Sequence, residues 1–286
     1  MASKELHFVK MHGIGNDYIY FDCIRHGAPS DPQRLSLLLS DRHTGVGGDG
    51  IILILPSDKA DFRMRIFNAD GSEARMCGNG IRCVGKYVYD HGLTRATDIT
   101  VETLSGIRTL KLHPGADSRV ESVTVDMGVP GFRPEEIGIR RAADSLVDFE
   151  VPGMPGIRVT AVSMGNPHGV TIVDSTADAD VHRVGRILEM HPMWTDRANI
   201  EFVEVVSPSH LRMRVWERGS GETMACGTGT CASVVACALL GLACREVDVD
   251  LLGGTLHISW DTIDGHVYMT GPAAEVFTGT IQRLPC

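Results

Sequence analysis

Short apolar segments separated by glycine-rich turns run along most of the chain. Several of the turns are tight, such as Ser105-Gly106, Gly253-Gly254 and Asp264-Gly265. Turns of this kind are typical of β-hairpins, so the pattern predicts a largely antiparallel sheet. The segments predicted as strands are 62–67, 99–103, 107–113, 120–126, 200–206, 211–217, 247–252, 255–260 and 267–270.

Four segments have the features of helices. The segment 81–91 places Ile81, Val84 and Val88 at helical spacing and is followed by Gly92, a common helix stop. A glycine also follows the last predicted helix. The predicted helices are 33–41, 81–91, 181–190 and about 228–240. With the strands, they predict a mixed fold of helices and sheets.

Two landmarks recur at almost the same offset along the chain. The segments Met76-Cys77-Gly78-Asn79-Gly80 and Ala225-Cys226-Gly227-Thr228-Gly229 place their cysteines 149 residues apart. The segments Gly15-Asn16-Asp17 and Gly165-Asn166-Pro167 are offset by 150. A repeat of this length indicates a duplicated domain rather than a solenoid. The alternative is chance, because Gly and Asn are common in turns. Proline- and glycine-rich stretches at 128–134 and 151–156 suit a domain boundary.

Composition narrows the class of protein. The 286 residues are 43% hydrophobic and 22% charged, as in ordinary globular proteins large enough for two domains. The net charge of −9 and the absence of a basic stripe argue against nucleic acid and against an anionic membrane surface as partners. No apolar run reaches transmembrane length, and the first residues have no apolar core of signal-peptide length. These features predict a cytoplasmic protein.

The cysteines do not follow a disulfide or zinc pattern. Eight are present, in a long chain with no secretion signal, which does not favour a disulfide framework. Only Cys226 and Cys231 approach a zinc spacing, as Cys-x4-Cys, and no second pair accompanies them. No metal site is therefore predicted. The same spacings argue against a non-enzymatic thiol or metal-binding protein, which is the alternative from another functional class.

One nucleotide-binding motif is present in the wrong context. The segment Gly45-Val46-Gly47-Gly48-Asp49-Gly50 matches G-x-G-x-x-G. A dinucleotide site requires a strand before these glycines and a helix after them. Here a helix precedes them and the apolar segment 51–55 follows as a buried strand. We therefore predict a loop that enters a strand, and no nucleotide site.

Cys77 and Cys226 each stand where a turn becomes a helix. The unpaired N–H groups of a first helical turn can bind an anion, and the helix dipole favours a thiolate. A helix terminus supplies roughly 0.3–1 kcal/mol, which lowers a thiol pKa by about one unit or less. A nearby base or cation is therefore expected, and His168 and Glu217 are the first candidates. The alternative for either cysteine alone is a small, buried packing residue.

A pair of thiols in matched contexts suits one reaction class. Inversion of an α-carbon needs a base on one face and an acid on the other. A thiolate can remove the α-proton while a thiol returns a proton from the opposite side. The pair exchanges roles in the reverse direction. Such an enzyme needs no cofactor.

Longer segments around these cysteines resemble the diaminopimelate epimerase family. The resemblance covers nearly the whole chain, with the motifs in the order that the family has. The segments are Met11-His12-Gly13-Ile14-Gly15-Asn16-Asp17, Asp41-Arg42-His43-Thr44-Gly45-Val46-Gly47-Gly48-Asp49, Phe67-Asn68-Ala69-Asp70-Gly71-Ser72-Glu73, Gly165-Asn166-Pro167-His168-Gly169, Arg197-Ala198-Asn199-Ile200-Glu201-Phe202 and Trp216-Glu217-Arg218-Gly219-Ser220-Gly221-Glu222-Thr223.

The resemblance implies an α/β fold of the α+β type with two pseudo-symmetric domains. Each would be a curved, mostly antiparallel sheet around a central helix, with the active site in the interdomain cleft. The expected domains are residues 1–130 plus 273–286, carrying Cys77, and residues 131–272, carrying Cys226. The resemblance also implies a small-molecule amino-acid substrate and a homodimer. The implied reaction interconverts LL- and meso-diaminopimelate, on the route to lysine and peptidoglycan, without pyridoxal phosphate or metal.

Matched residue by residue, the resemblance implies roles for individual side chains. Cys77 and Cys226 would be the acid and base, with His168 near Cys77 and Glu217 near Cys226. A substrate with two ammonium and two carboxylate groups suits amides, one carboxylate and one guanidinium, and the planar fork of Arg218 suits the distal carboxylate. The implied substrate-binding residues are Asn16, Asn68, Gly78, Asn79, Asn166, Asn199, Glu217, Arg218, Gly227 and Thr228.

Alternatives on the same fold remain open. Proline and histidine racemases share this architecture, although a substrate with one carboxylate has less need of Arg218 and several asparagines. Phenazine-pathway isomerases share it too but lack the two thiols. Asn68 and Asn166 also lie in sequences typical of turns. Gly50 stands where some family members carry Gln, which could alter substrate placement.

Overall fold

The computed structural model describes residues 5–140 and 146–282. The chain divides into two compact units, one formed by Met1–Val125 with Gly271–Cys286 and the other by Asp126–Thr270. Both are dominated by β-strands, with a few helices packed on them. The expected α+β class is confirmed.

The elements are numbered along the chain. The strands are β1 (Leu6–Gly13), β2 (Asn16–Asp22), β3 (Gly50–Leu55), β4 (Phe62–Asn68), β5 (Glu73–Ala74), β6 (Asp98–Thr103), β7 (Gly106–Pro114), β8 (Val120–Asp126), β9 (Phe149–Glu150), β10 (Arg158–Ser163), β11 (Pro167–Ile172), β12 (Asn199–Ser207), β13 (His210–Glu217), β14 (Gly221–Glu222), β15 (Glu246–Leu251), β16 (Gly254–Trp260), β17 (Val267–Pro272) and β18 (Ala274–Ile281). The helices are α1 (Cys23–His26), α2 (Pro32–Ser40), α3 (Gly78–Asp90), α4 (Pro134–Ile137), α5 (Val181–Glu189) and α6 (Gly227–Leu239).

The sheet of the first unit combines antiparallel strand pairs with two parallel strand pairs. Strand β1 pairs with β2 and with β18 in antiparallel fashion, and β2 then runs parallel to β3. Strand β4 is antiparallel to β3 and β5 and parallel to β6. Two further hairpin pairings join β6 to β7 and β7 to β8. The β1–β2 turn passes through Ile14 and Gly15, both at positive φ, as a two-residue hairpin requires.

The second unit repeats this pairing scheme strand for strand. Strands β10 and β11 form a hairpin, β11 runs parallel to β12, and β12 is antiparallel to β13. Strand β13 is antiparallel to β14 and parallel to β15, and antiparallel pairs join β15 to β16 and β16 to β17. The same succession of parallel and antiparallel pairs in both units confirms that the two domains are pseudo-symmetric.

Each unit wraps its sheet around one thirteen-residue helix. Helix α3 packs on β1, β2 and β7, and α6 packs on β10, β11, β12, β13 and β16. Strand β3 is buried on both faces, because Ile51 and Leu53 enter the cluster beneath α2 while Ile52 lies beneath α3. This two-sided burial explains why the segment is apolar at every position rather than at alternate ones.

The turn and periodicity patterns locate most of the sheet. Every strand predicted from the sequence is present with boundaries within a few residues, and so are the four predicted helices. Helix α3 begins at Gly78, whereas the prediction began it at Ile81. The prediction left out the first turn because that turn contains two glycines, which have low helix propensity. Strands β1, β2, β5, β9, β10, β11 and β14 were not predicted, and a last strand in the first domain was expected only from the resemblance. Turn chemistry does not reveal which strands pair in parallel. No helix within residues 5–140 and 146–282 is long and apolar enough to cross a membrane.

Gly50 lies where the backbone of β3 comes very close to the backbone of β4. It opens β3 at a φ of +155°, and a Cβ there would lie 2.1 Å from the carbonyl oxygen of Phe67. We expect Gly50→Ala to lower the free energy of unfolding by about 3 kcal/mol, through backbone strain and overpacking together. Gly92→Ala is the control, because Gly92 has a φ of +70° but nothing within 4 Å of its Cβ position. It should lose only about 1 kcal/mol. Equal losses in urea titrations of the two variants would show that the contact with Phe67 is unimportant.

Candidate active site

Cys77 is the N-cap of the central helix in the first unit. Its backbone is extended, with φ −138° and ψ 112°, and its sulfur accepts a hydrogen bond of 3.2 Å from the N–H of Gly80. The thiol in turn donates to Oδ1 of Asn16 at 3.3 Å. A thiol thus satisfies one of the four N–H groups that a helix leaves unpaired at its start. The predicted position of Cys77, at the point where a turn becomes a helix, is confirmed.

A network of charged residues fixes Asn16. Its Nδ2 donates to Asp49 at 2.7 Å, and Asp49 also accepts from the N–H of Asp17. Arg42 binds both carboxylates, at 2.7 Å and 3.0 Å, and Lys10 lies 2.5 Å from Asp17. Burial and the neighbouring Asp17 carboxylate raise the pKa of Asp49. Although burial acts in the opposite direction, hydrogen bonds from Arg42 and Lys10 hold the pKa of Asp17 below its ordinary value. The amide that meets Cys77 is therefore held by a network of two aspartates and two basic side chains.

The other asparagines of the first unit are less directly placed. Asn68 ends β4 and donates from Nδ2 to the hydroxyl of Ser72 at 3.1 Å, which supports the turn interpretation. Asn79 is buried in the first turn of α3, where its Oδ1 accepts from the buried Arg82 at 3.0 Å. Gly50 pairs with Asn68 across the β3–β4 ladder. Because a Cβ at position 50 would meet the Phe67 carbonyl, a longer side chain there would require the backbone to move.

Cys226 repeats the arrangement of Cys77 in the second unit. It is the N-cap of α6, with φ −125° and ψ 109°, and its sulfur accepts from the N–H of Gly229 at 3.4 Å. The sulfur also lies 3.5 Å from the hydroxyl of Thr228. Cys226 is almost fully buried, whereas Cys77 is partly exposed. The two thiols therefore occupy equivalent positions with different access to solvent.

A chain of hydrogen bonds leads from Cys226 into the interior of the second unit. Nδ2 of Asn166 donates to Thr228 at 3.4 Å, and Oδ1 of Asn166 lies 3.0 Å from Nε2 of His168. Nδ1 of His168 donates to Glu201 at 2.7 Å. Both His168 and Glu201 are fully buried. The sequence placed His168 among the site residues but gave Glu201 no role.

Glu217 forms the other neighbour of Cys226. It accepts a hydrogen bond from the Cys226 thiol and another of 2.5 Å from the hydroxyl of Thr223. Burial raises the pKa of Glu217 despite these hydrogen bonds. Burial also raises the pKa of Cys226 well above its ordinary value, and the carboxylates of Glu217 and Glu201 raise it further. At neutral pH the isolated site therefore holds Cys226 as the protonated thiol.

Arg218 lies in a turn that is held from two sides. Its N–H donates to Oδ1 of Asn199 at 2.9 Å, while Asn199 donates to the carbonyl of Pro167. The next residue, Gly219, donates from its N–H to the buried Glu189 at 2.8 Å. The guanidinium of Arg218 itself binds the exposed Asp196, at 3.0 Å to the backbone carbonyl and at 3.2 Å to the carboxylate. The backbone of the turn is thus fixed from the interior, while the guanidinium is held by an exposed residue.

Each unit therefore brings a thiol, the open start of a helix and one or more amides together. In the first unit Cys77 meets Asn16, and in the second Cys226 lies with Asn166, Glu217 and Thr228. His168, which the resemblance places near Cys77, contacts Asn166 and Glu201 within the second unit. The sequence gave no role to Asp49, Glu189 or Glu201. The sequence does contain a sign that Glu201 is buried. It is a carboxylate within the apolar run Ile200–Val203, which is typical of a strand with both faces covered. Among the described residues, no group of histidine, cysteine and acidic side chains has the arrangement of a metal site.

Comparison with known proteins gives a consistent family match. The family model described as "Diaminopimelate epimerase" matches residues 8–132 and 160–276. A diaminopimelate epimerase of Acetivibrio thermocellus is 49% identical over 279 residues, covering 97% of this chain and 99% of the relative. A diaminopimelate epimerase of Agathobacter rectalis is 52% identical over 285 residues, with coverage of 97% and 99%.

Solved structures support the fold. A phenazine biosynthesis protein of Bacillus anthracis superposes with a TM-score of 0.69 at 18% identity, covering 98% of this chain and 99% of that chain. A hydroxyproline epimerase of Agrobacterium vitis, with bound trans-4-hydroxy-L-proline, has a TM-score of 0.69 at 15% identity and coverage of 98% and 92%. At these identities the likeness concerns the two-domain architecture alone.

The link between Glu217 and Cys226 can be measured by alkylation. Iodoacetamide reacts with the thiolate, so a raised thiol pKa slows the reaction at neutral pH. We expect Glu217→Gln to speed the alkylation of Cys226 several-fold at fixed pH, because removal of the carboxylate charge lowers the pKa of the thiol and increases its thiolate fraction. The rate at Cys226 is read by peptide mass spectrometry, which separates it from the exposed Cys244.

Glu222→Gln is the matched control for this measurement. Glu222 is bound to Arg214 at 2.7 Å and does not contribute to the raised pKa of Cys226. Its substitution should leave the Cys226 rate unchanged. An unchanged rate in Glu217→Gln as well would show that the carboxylate does not control this thiol.

Proposed function

Because this chain belongs to the diaminopimelate epimerase family, we propose that it interconverts LL- and meso-2,6-diaminopimelate by proton transfer at the α-carbon. The observation that carries the proposal is the matched placement of two thiols. Cys77 and Cys226 each cap the buried central helix of one pseudo-symmetric unit. Two equivalent acid–base groups in a duplicated fold suit a reaction that needs one proton donor and one proton acceptor at a single carbon.

The proposed chemistry uses only the two thiols for proton transfer. One cysteine, as thiolate, takes the α-proton, and the electron pair of the broken C–H bond stays on the carbon. The other cysteine, as thiol, gives its proton to the opposite face of that carbon and becomes a thiolate. The raised pKa of Cys226 favours it as the thiol in the unliganded enzyme. The reverse direction exchanges the two roles, and neither direction calls for pyridoxal phosphate or a metal ion.

The starts of the two helices would hold the carboxylate at the reacting carbon. The backbone of Gly78-Asn79 and of Gly227-Thr228 belongs to the first turns of α3 and α6, where N–H groups are available to an anion. Negative charge moves from the α-carbon onto this carboxylate as the proton leaves. Preorganised N–H groups stabilise that charge more in the transition state than in the ground state, which is the condition for faster reaction.

The remaining site residues would recognise the rest of the substrate. Arg218 is the group for the distal carboxylate, because its present partner Asp196 is an exposed residue. Amide oxygens and nitrogens can accept from the ammonium groups and donate to the carboxylates. The residues proposed for these contacts are Asn16, Asn68, Asn166, Asn199 and Glu217.

His168 and Glu217 would adjust the proton affinity of the thiols. Glu217 bonds directly to Cys226 and its charge opposes the thiolate, so it would keep that thiol protonated until substrate binds. We propose that His168 acts on the thiolate of Cys77, as the family resemblance implies. A cation beside a thiolate stabilises it.

We also propose that the enzyme works in the cytoplasm, as a homodimer, in the supply of lysine and peptidoglycan precursors. The cellular role follows from the names of its relatives. The last strand of the first unit supports self-association, because Val276 and Phe277 on β18 are 55% and 45% exposed. Neighbouring exposed apolar side chains on a strand are a common feature of protein interfaces.

The reaction is tested by incubation of the reduced protein with LL-diaminopimelate in D2O. We expect meso product that carries solvent deuterium at the α-carbon. Cys77→Ala and Cys226→Ala should each lose at least about 100-fold in turnover, because each removes one of the two acid–base groups. The readouts are chiral chromatography and mass spectrometry.

Cys244→Ala is the control for these variants, since Cys244 is an exposed thiol outside the proposed site. It should keep wild-type activity. A wild-type protein that neither epimerises LL-diaminopimelate nor exchanges its α-proton would contradict the proposal, and proline and histidine would then be assayed in the same way. Full activity in either site variant would refute the two-thiol mechanism.

The dimer is tested by light scattering on the purified protein. The wild type should have about twice the chain mass of 31.0 kDa. Phe277→Asp places a charge among the exposed apolar side chains of β18 and should shift the protein toward monomer. Ile263→Asp is the control, because Ile263 is 95% exposed but lies in a turn of the other unit. A monomeric wild type would rule the homodimer out.

A further inference from the structure

Glu201 is a fully buried carboxylate in the middle of an apolar strand. It lies on β12 beneath the first turn of α6, so close that a Cβ on Gly229 would stand 2.6 Å from its Oε1. Oε1 accepts the hydrogen bond from Nδ1 of His168, and within the described part of the chain Oε2 has no hydrogen-bond partner. Burial of a carboxylate costs several kcal/mol unless its partners compensate fully.

The first unit shows that the fold does not need this charge. Ile52 occupies the equivalent place there, with its Cδ1 2.6 Å from the Cβ position of Gly80. The registers agree, because Tyr20 pairs with Ile52 on parallel strands as Val170 pairs with Glu201. The residue equivalent to His168 is Tyr18, two positions before Tyr20. An isoleucine at this place is therefore compatible with a thiol-capped helix, so the capped helix by itself does not explain the buried carboxyl group of Glu201.

We propose that Glu201 is a positioning residue that fixes a hydrogen on Nδ1 of His168 and, through the ring, the orientation of the Asn166 amide beside Cys226. The proposal rests on the proposed function, in which His168 and Asn166 belong to the active site. It adds a group that does not touch the substrate. Glu201 acts only through the imidazole that lies between it and the amide.

The carboxylate fixes one side of the imidazole ring. A carboxylate only accepts, so Nδ1 of His168 must carry a hydrogen. On the other side of the ring, Nε2 faces the side-chain amide of Asn166 at 3.0 Å. Because one end of this amide lies against the ring, Asn166 presents its Nδ2 to Thr228, the neighbour of the Cys226 sulfur.

Removal of the charge of Glu201 should disrupt this arrangement of hydrogen-bond donors and acceptors. In Glu201→Gln the amide can either donate or accept, so it no longer requires a hydrogen on Nδ1. The ring hydrogen can then move from Nδ1 to Nε2, which changes what the ring presents to the Asn166 amide. The amide would lose its fixed orientation and, with it, the donor that it now offers to Thr228. The variant keeps the shape of the side chain, so its fold should be retained.

The test combines NMR and kinetics on the full-length protein. The protein has 12 histidines, so the His168 ring signals are assigned by comparison with a His168→Gln sample. With 15N-labelled histidine, wild-type His168 should show a hydrogen on Nδ1, and Glu201→Gln should shift hydrogen from Nδ1 toward Nε2. The kcat/KM for LL-diaminopimelate should fall roughly 10- to 100-fold in the variant, as for other residues that orient a functional histidine.

Glu204→Gln is the matched control. It removes the same charge from the same strand, but Glu204 binds Arg212 and Thr176 and has no contact with His168. It should change neither the His168 spectrum nor kcat/KM. If Glu201→Gln does not fold, Glu201→Ile, which copies Ile52 of the first unit, gives the same measurement with an apolar side chain.

The outcomes separate this inference from the proposed function. A folded Glu201→Gln with an unchanged His168 spectrum overturns the inference, whatever its activity. A changed spectrum with unchanged kcat/KM also overturns it, because the proton on His168 would then not matter for the reaction. A wild type inactive on LL-diaminopimelate refutes the proposed function, while the spectrum still shows whether Glu201 controls His168.

Discussion

The structure depends on two helices that begin inside the protein. A buried helix start must find partners for its free N–H groups, and in each unit the sulfur of the residue before the helix supplies one. This requirement sets the neighbouring sequence, because the N–H that reaches the sulfur belongs to a glycine that lies directly on the sheet. A side chain on Gly80 or Gly229 would push the helix away from the strand below. In each unit, one turn therefore provides the helix cap, the packing contact with the sheet and the thiol.

Duplication has preserved that turn while the surroundings of the two thiols diverged. In the first unit, a network of two aspartates and two basic side chains at the surface holds the amide that meets Cys77. In the second, the equivalent amide is held from the interior, by His168 over the buried Glu201. The second thiol is more buried and has the carboxylate of Glu217 beside it. Equivalent backbones thus carry thiols in different surroundings, and burial raises the pKa of Cys226.

Local patterns were sufficient for the elements that rely on local forces. Hairpins with short glycine turns and helices with a clear apolar period lie where the sequence placed them, because turn geometry and side-chain periodicity act over a few residues. The first strand was not predicted, and the return of the last strand to the first domain was expected only from the family resemblance, because β1 owes its position to β18 at the far end of the chain. The glycines of G-x-G-x-x-G were assigned correctly to a loop that enters a strand, because element order excluded the nucleotide motif.

The sequence by itself determined the repeat, the two thiols at helix starts and the family motifs, because each is written in neighbouring residues. It could not determine which thiol is buried or what surrounds it. The proximity of His168, Glu201 and Cys226 arises from parallel pairing of β11 with β12 and from the packing of α6 on that pair. The pKa of Cys226 is set by its burial and by the charges of residues that are distant from it in the sequence. Only the tertiary structure determines these two effects, because desolvation and Coulomb energy depend on distances in space.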